Sequence, residues 1–404
     1  SASVEIRSNK LTTGDGLANN STRYMMQDSK GFIWLGTLNG LSYYDGNSFV
    51  NIYPDIHNPL SLADSRIRSI EEDPNGFLWI STMSSFISCY DLRHGRFVDF
   101  TGCNEYKENY SKFFITSDNS VWLWHNQNGC RRIVYQDGKF SSQTYKKELG
   151  NLPSDRVQFV LESAKGEVWI GTRKGLLKYR NGQTDNLDPQ SQSWEHIIAY
   201  DQYTCIITDK NEIYRHTYFT DKLEKVGSLA ASFDDNSRVT GNFLLADKWV
   251  LFTANGSYLL DIPTGKLSRY SDLNIKNGAV TKDNKKNVWV HNYTGHLWYV
   301  NVTTGNIKPF QFLSSEHIGY IDVERYSIVH DSRDIIWITT YGNGLYAYEL
   351  ATGDLQHFTF DIGQSSHINS NYLQYVMEDR SGGIWVSSEF SGLSHLEILN
   401  KGTQ

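Results

Sequence analysis

One motif recurs along the whole chain and constrains its fold more than any other feature: a short turn, an apolar run centred on Trp, then Thr, Gly and Tyr. Its clearest copy runs from Asp28 through Trp34, Thr37 and Gly40 to Tyr44 and Asp45. Others run from Gly166 through Trp169, Thr172 and Gly175 to Tyr179, from Asp331 through Trp337, Thr340 and Gly344 to Tyr348, and from Gly383 through Trp385 and Ser388 to Gly392. Fainter copies centre on Trp79, Trp122 and Trp289, and in two units Cys205 and Val250 stand in the Trp place, three residues before Thr208 and Thr253. The anchors at 34, 79, 122, 169, 205, 250, 289, 337 and 385 are 36 to 48 residues apart, so nine units fill residues 1–404 as one domain. Repeats of ~20–50 residues mark solenoids, propellers and arrays.

Each unit reads as four short strands. In the first, Ser21 to Gln27 is followed by a turn at Asp28–Gly31, and Phe32 to Thr37 is a near-continuous apolar run, as a strand buried on both faces requires. Asn39-Gly40 is a hairpin signal, Leu41 to Tyr44 the third strand and Phe49 to Tyr53 the fourth. Four antiparallel strands per repeat is the blade of an all-β propeller. The last unit stops after its third strand, Leu393 to Leu399, while Val4 to Leu11 precedes the first unit and occupies a fourth-strand slot. An N-terminal strand completing the last blade would leave no open edge. The expectation is a closed ring of about nine blades; a seven-bladed ring with two further blades, or eight blades, are the alternatives.

Aromatic residues make up 14% of the chain, with 25 Tyr, 19 Phe and 11 Trp, as suits a sheet-rich fold. Only Tyr106 to Phe114 hints at a helix. A net charge of −7 disfavours nucleic acid or an anionic membrane surface as main partner. No apolar stretch approaches the ~18 residues of a transmembrane helix, so direct membrane insertion is not expected. The four cysteines, Cys89, Cys103, Cys130 and Cys205, show no CxxC and no accompanying His spacing, which argues against a structural metal. Cys205 is expected as a buried thiol, and Cys103 and Cys130, in neighbouring units, are a candidate pair.

No nucleophile elbow, phosphate loop, HExxH or dinucleotide fingerprint is present, so neither a catalytic residue nor a cofactor is assigned. Asp28, Asp73, Asp283, Asp331 and Asp379 recur at one repeat position before the turn, which marks them as turn residues bonding their own downstream backbone. Positions where the repeat is constant but the side chain varies carry more functional weight. Counting five back from each turn Asp gives Arg23, Arg68, Tyr326 and Gln374, with Gln158 in the equivalent place before Ser163. The second-to-third-strand hairpins add Arg173, Lys174, Tyr293, Tyr341, Asn343, Glu389 and Phe390. In a propeller these positions share one face around the central channel. The ligand-binding candidates are accordingly Arg23, Arg68, Arg173, Tyr293, Tyr326, Tyr341, Glu389 and Phe390. Such groups can hydrogen-bond sugar hydroxyls and stack on pyranose rings, and Arg can clamp a carboxylate or sulfate.

The repeats resemble the two-component regulator propeller repeat, D-x-x-G-x-I/L-W-I/V-G-T-x-x-G-L-x-x-Y/F-D, which Asp28 to Asp45 follows almost throughout. The stretch Leu11 to Asn20, with Leu11-Thr12 and Asp15-Gly16-Leu17, is similar to the opening common at the start of such sensors. The resemblance implies the periplasmic sensor region of a hybrid two-component histidine kinase that detects an oligosaccharide and controls genes for its use. On that reading the chain is not itself an enzyme, any kinase lies in a downstream part of the protein, and a homodimer is one signalling form. Members of the family commonly carry two seven-bladed rings, which this chain departs from. A protein-docking scaffold is one alternative. A propeller lyase or glycoside hydrolase, with Glu389, Glu324, Tyr326 and Tyr341 as first suspects, is another.

Overall fold

The computed structural model describes residues 4–101, 109–188, 190–292, 296–310 and 327–399. These form nine four-stranded antiparallel sheets, a nine-bladed β-propeller. In the first blade Thr22–Gln27, Ile33–Thr37, Leu41–Tyr44 and Phe49–Ile52 pair in sequence order. The innermost strands of the later blades are Ile67–Glu72, Lys112–Ile115, Val157–Glu162, Trp194–Tyr200, Gly241–Leu245, Ala279–Lys282, Ile328–His330 and Leu373–Glu378. Of the alternatives, seven blades plus two and eight blades are therefore excluded. The units around Cys205 and Val250 are complete blades.

The ring closes as the chain ends suggested. The N-terminal strand Glu5–Leu11 pairs antiparallel with Leu393–Leu399, in register from Glu5 opposite Leu399 to Leu11 opposite Leu393, and supplies the outer strand of blade nine. At the top of this seam Gly392 donates its N–H to the Asn20 carbonyl at 2.9 Å. Its φ of +79° and the Leu11 carbonyl oxygen, 2.5 Å from where a Cβ would stand, both require glycine there.

The apolar core lies between blades rather than within them. Nine clusters of buried residues each join two neighbouring blades, and one, with Leu11, Met25, Leu35, Trp385 and Leu393, joins the last to the first. Seven anchor Trp residues face the following blade. Where the anchor is Cys205, the neighbouring Trp249 of blade six turns back into the same core and restores the missing volume. Trp249 stands one residue before the Val250 anchor and therefore points to the opposite side of its blade.

The repeated Asp does more than shape a turn. Oδ1 of Asp28 accepts the backbone N–H groups of Lys30 and Phe32, and its Oδ2 accepts the Trp34 indole N–H at 2.7 Å. The same indole bond links Asp73 to Trp79, Asp283 to Trp289, Asp331 to Trp337 and Asp379 to Trp385. It reappears in blade five one strand earlier, between Asp188 and Trp194. Thr116 and Ser163 replace the Asp in blades three and four, and among the described residues the buried indole N–H groups of Trp122 and Trp169 lack a hydrogen-bond partner.

The helix hint at Tyr106 to Phe114 is not realised: Lys112–Ile115 is a strand, and residues 102–108 lie outside the described set. Phe113 and Phe114 each pack instead into a core between blades. Cys89, Cys130 and Cys205 are buried free thiols, and burial pushes Cys205 up to about 12. Cys103 lies outside the described residues. No helix among the described residues is long and apolar enough to cross a membrane.

Candidate functional site

Five innermost strands carry a β-bulge at the same place. The register slips between Thr22 and Tyr24, Ile67 and Ser69, Val157 and Phe159, Trp194 and His196, and Leu373 and Tyr375. The unpaired residues are Arg23, Arg68, Gln158, Glu195 and Gln374. A bulge leaves one residue out of the ladder and re-aims its side chain. Strict alternation would place Arg23 on the face of Met25; the bulge lets Met25 stay in the core while Arg23 turns to the channel.

Arg23, Arg68 and Gln374 open into one cavity of about 640 Å³, shared with Thr281, Lys282 and Asp283 of blade seven, Ser327 and Ile328 at blade eight, and Tyr375 and Glu378 of blade nine. It spans the ring seam, with blades seven to nine on one side and blades one and two on the other. Among the described residues the buried Arg23 Nε and Gln374 Nε2 have no hydrogen-bond partner, and Gln158 Nε2 shares that state. The carboxylates are engaged elsewhere. Asp283 accepts from Lys285 N, Asn287 N and the Trp289 indole, and Glu378 accepts from the backbone and hydroxyl of Ser332. Enclosure lowers the Lys282 amine from its ordinary value, with the Lys286 charge adding to the effect. Beside the cavity the rings of Tyr24 and Tyr375 lie 5.1 Å apart, and enclosure raises both phenols, which stay neutral.

The hairpins and the loops leading into the innermost strands do share one face. Main-chain bonds tie Leu38 to Ser21, Met83 to Arg66, Arg173 to Arg156 and Glu389 to Tyr372. On that face the other candidates separate. Arg173 lines a second cavity, of about 590 Å³, with Lys147, Arg156 and Lys174 between blades three and four. Tyr341 meets Tyr372 edge-on at 5.0 Å, and Phe390, 69% exposed, follows Glu389 on the hairpin of blade nine. Tyr293, Tyr326 and Glu324 lie outside the described residues. Of the eight candidates, then, only Arg23 and Arg68 meet in the channel cavity among the described residues. Lys282 was not among the expected site residues: it precedes a turn Asp, at the end of its strand, where the repeat suggested only architecture. Among the described residues no group of His, Cys, Asp and Glu could hold a metal ion.

A profile described as the two component regulator propeller matches residues 16–39 and 61–84, each running from the loop before an innermost strand to the following hairpin. No curated protein matches the sequence. Among solved structures, the extracellular domain of the one-component system BT4673 from B. thetaiotaomicron is 18% identical, with a TM-score of 0.42 over 95% of this chain and 51% of that one. That of the hybrid two-component system BT3049 from the same organism is also 18% identical, with a TM-score of 0.32 over 99% and 67%. The Dos1 propeller is 12% identical and reaches a TM-score of 0.52 over 98% and 95%, a likeness of fold. The chain spans about half the length of the BT4673 domain. The first two blades thus carry matches to the two component regulator propeller, and the same Asp–Trp turn is rebuilt further round a single nine-bladed ring.

Proposed function

We propose that the chain is the extracytoplasmic sensor propeller of a two-component signalling protein, that it binds an oligosaccharide in the channel cavity, and that it relays binding to a histidine kinase controlling glycan use. The observation that carries this reading is the cavity at the seam, where the repeat scaffold is constant and the bulged residues Arg23, Arg68 and Gln374 are not. Its volume of about 640 Å³ falls within the ~300–1,000 Å³ of small-molecule sites. Polar groups there stand without partners, as a site awaiting a hydroxylated or charged ligand would hold them. Among the described residues, both carboxylates of the lining are tied into turns and blade contacts, which supports binding without catalysis.

A ligand in this cavity would touch the first and last blades together and stiffen the seam. Signal transfer then needs only that the ring's stiffened state be favoured by the ligand. Calorimetric titration against defined oligosaccharides, with a parallel assay for new reducing ends, tests the reading. Saturable heat without product supports it. Product formation would replace it with the lyase or hydrolase reading, and saturable capture of a protein without sugar would replace it with the scaffold reading.

A further inference from the structure

The balance of free and engaged groups in the channel cavity narrows the ligand class, and the step rests on the sensor reading above. Among the described residues, Arg23, Arg68 and Lys282 line the cavity with no ion-pair or hydrogen-bonding side-chain partner, and the Gln374 amide adds an unpaired N–H. The two acids of the lining, Asp283 and Glu378, have their oxygens filled by the turns and by Ser332. Among the described lining residues the open groups are therefore three cations and one amide, in a chain whose net charge is −7, with the Glu71 carboxylate beside the cavity near Tyr24 and Lys286. A neutral sugar hydroxyl needs an acceptor for its proton as well as a donor, and the cavity offers few uncommitted acceptors. A carboxylate or sulfate accepts only, and it matches guanidinium donors in geometry as well as charge.

We infer that the channel cavity binds an acidic saccharide, whose carboxylate or sulfate groups are met by Arg23 and Arg68 at one level of the innermost strands and by Lys282 further along them. Arg23 is half-buried while Arg68 and Lys282 are exposed, so gathering these like charges around one cavity costs the free protein some stability, and an anion arriving there recovers it.

The first test uses sulfate ion as probe. At equal ionic strength, sulfate should raise the melting temperature above that in chloride, and the rise should disappear in an Arg23→Gln/Lys282→Met double variant whose melting temperature in chloride confirms folding. The second test titrates tetragalacturonate against its carboxyl-reduced counterpart, and a sulfated galactan tetrasaccharide against its desulfated form. The acidic member of one pair should bind about tenfold or more tighter than its neutral partner, as charge-assisted bonds imply. That preference should shrink in Arg23→Gln and at high NaCl. Whichever pair discriminates separates a carboxylate from a sulfate ligand. Equal binding of charged and neutral members, or an acidic preference untouched by both variants, overturns the inference and leaves the sensor reading intact. Absence of binding by all four saccharides, together with no sulfate-specific shift, overturns both.

Discussion

The indole N–H of Trp337 lies 2.8 Å from Oδ2 of Asp331, a carboxylate with no exposed surface whose other oxygen accepts the backbone N–H groups of Arg333 and Ile335. One side chain thus closes the turn and fixes the ring that packs against the next blade. Asp331→Ala strands these donors in the interior, where an unmet hydrogen bond costs ~1–3 kcal/mol. The expected loss is about 3 kcal/mol, measured by chemical denaturation, with Asp331→Asn losing clearly less because it retains an acceptor. Equal losses for the two variants would show that the carboxylate charge, and not the acceptor geometry, holds the turn.

Blade four offers the converse experiment. Ser163 occupies the Asp position and its hydroxyl serves Lys165 N and Glu167 N, while the Trp169 indole is left without a partner. Ser163→Asp supplies the second oxygen and should stabilise the protein by about 1 kcal/mol. A melting temperature unchanged or lowered would count against the Asp–Trp bond as a general stabilising device of the repeat.

Acid should weaken the fold before the carboxylates titrate. Burial holds the His291 imidazole down at about 4 against an ordinary 6.5. A depressed histidine pKa means that the unfolded chain takes up the proton first. Stability is therefore complete above about pH 6.5, falls as pH drops below it, and levels off near pH 4. At ~1.4 kcal/mol per pKa unit, the full effect is at most about 3.5 kcal/mol. Denaturation midpoints between pH 7 and 4.5 should fall in the parent and fall less in His291→Gln.

The seam makes a separate claim. Removing residues 1–11 would leave Leu393–Leu399 as an unpaired edge and uncover part of the core around Leu393 and Trp385. Such an edge is a template for pairing with another chain. Light scattering should show oligomers in the truncated protein, and adding the strand peptide 4–11 in excess should reduce them.

Much of the architecture was legible because one repeat was written nine times. Leu41–Tyr44 and Leu393–Leu399 end where the pattern ended, and the closing strand was readable from a missing fourth strand at one terminus and a surplus one at the other. The bulges were not legible, since a register slip exists only relative to a partner strand. Nor was the compensation of Cys205 by Trp249, which depends on two blades sharing a core. For the cavity lining, comparing equivalent positions picked out Arg23, Arg68 and Gln374, whereas Lys282 was hidden beside the turn residue Asp283. Arg173 followed the right rule for its face and still fell elsewhere. The channel cavity belongs to blades seven, eight, nine, one and two, and the order of blades around the ring distributes the hairpins among different neighbours.

The bulges in the innermost strands also bear on how such a protein can change over time. A residue standing outside the ladder contributes little to strand pairing, so its replacement leaves the registers of neighbouring residues as they were. Arg23, Arg68, Gln158, Glu195 and Gln374 already differ from blade to blade within one chain on a common backbone. Descendants of this ring can therefore change what their innermost strands present by single substitutions at these places, without renegotiating how the wheel is built.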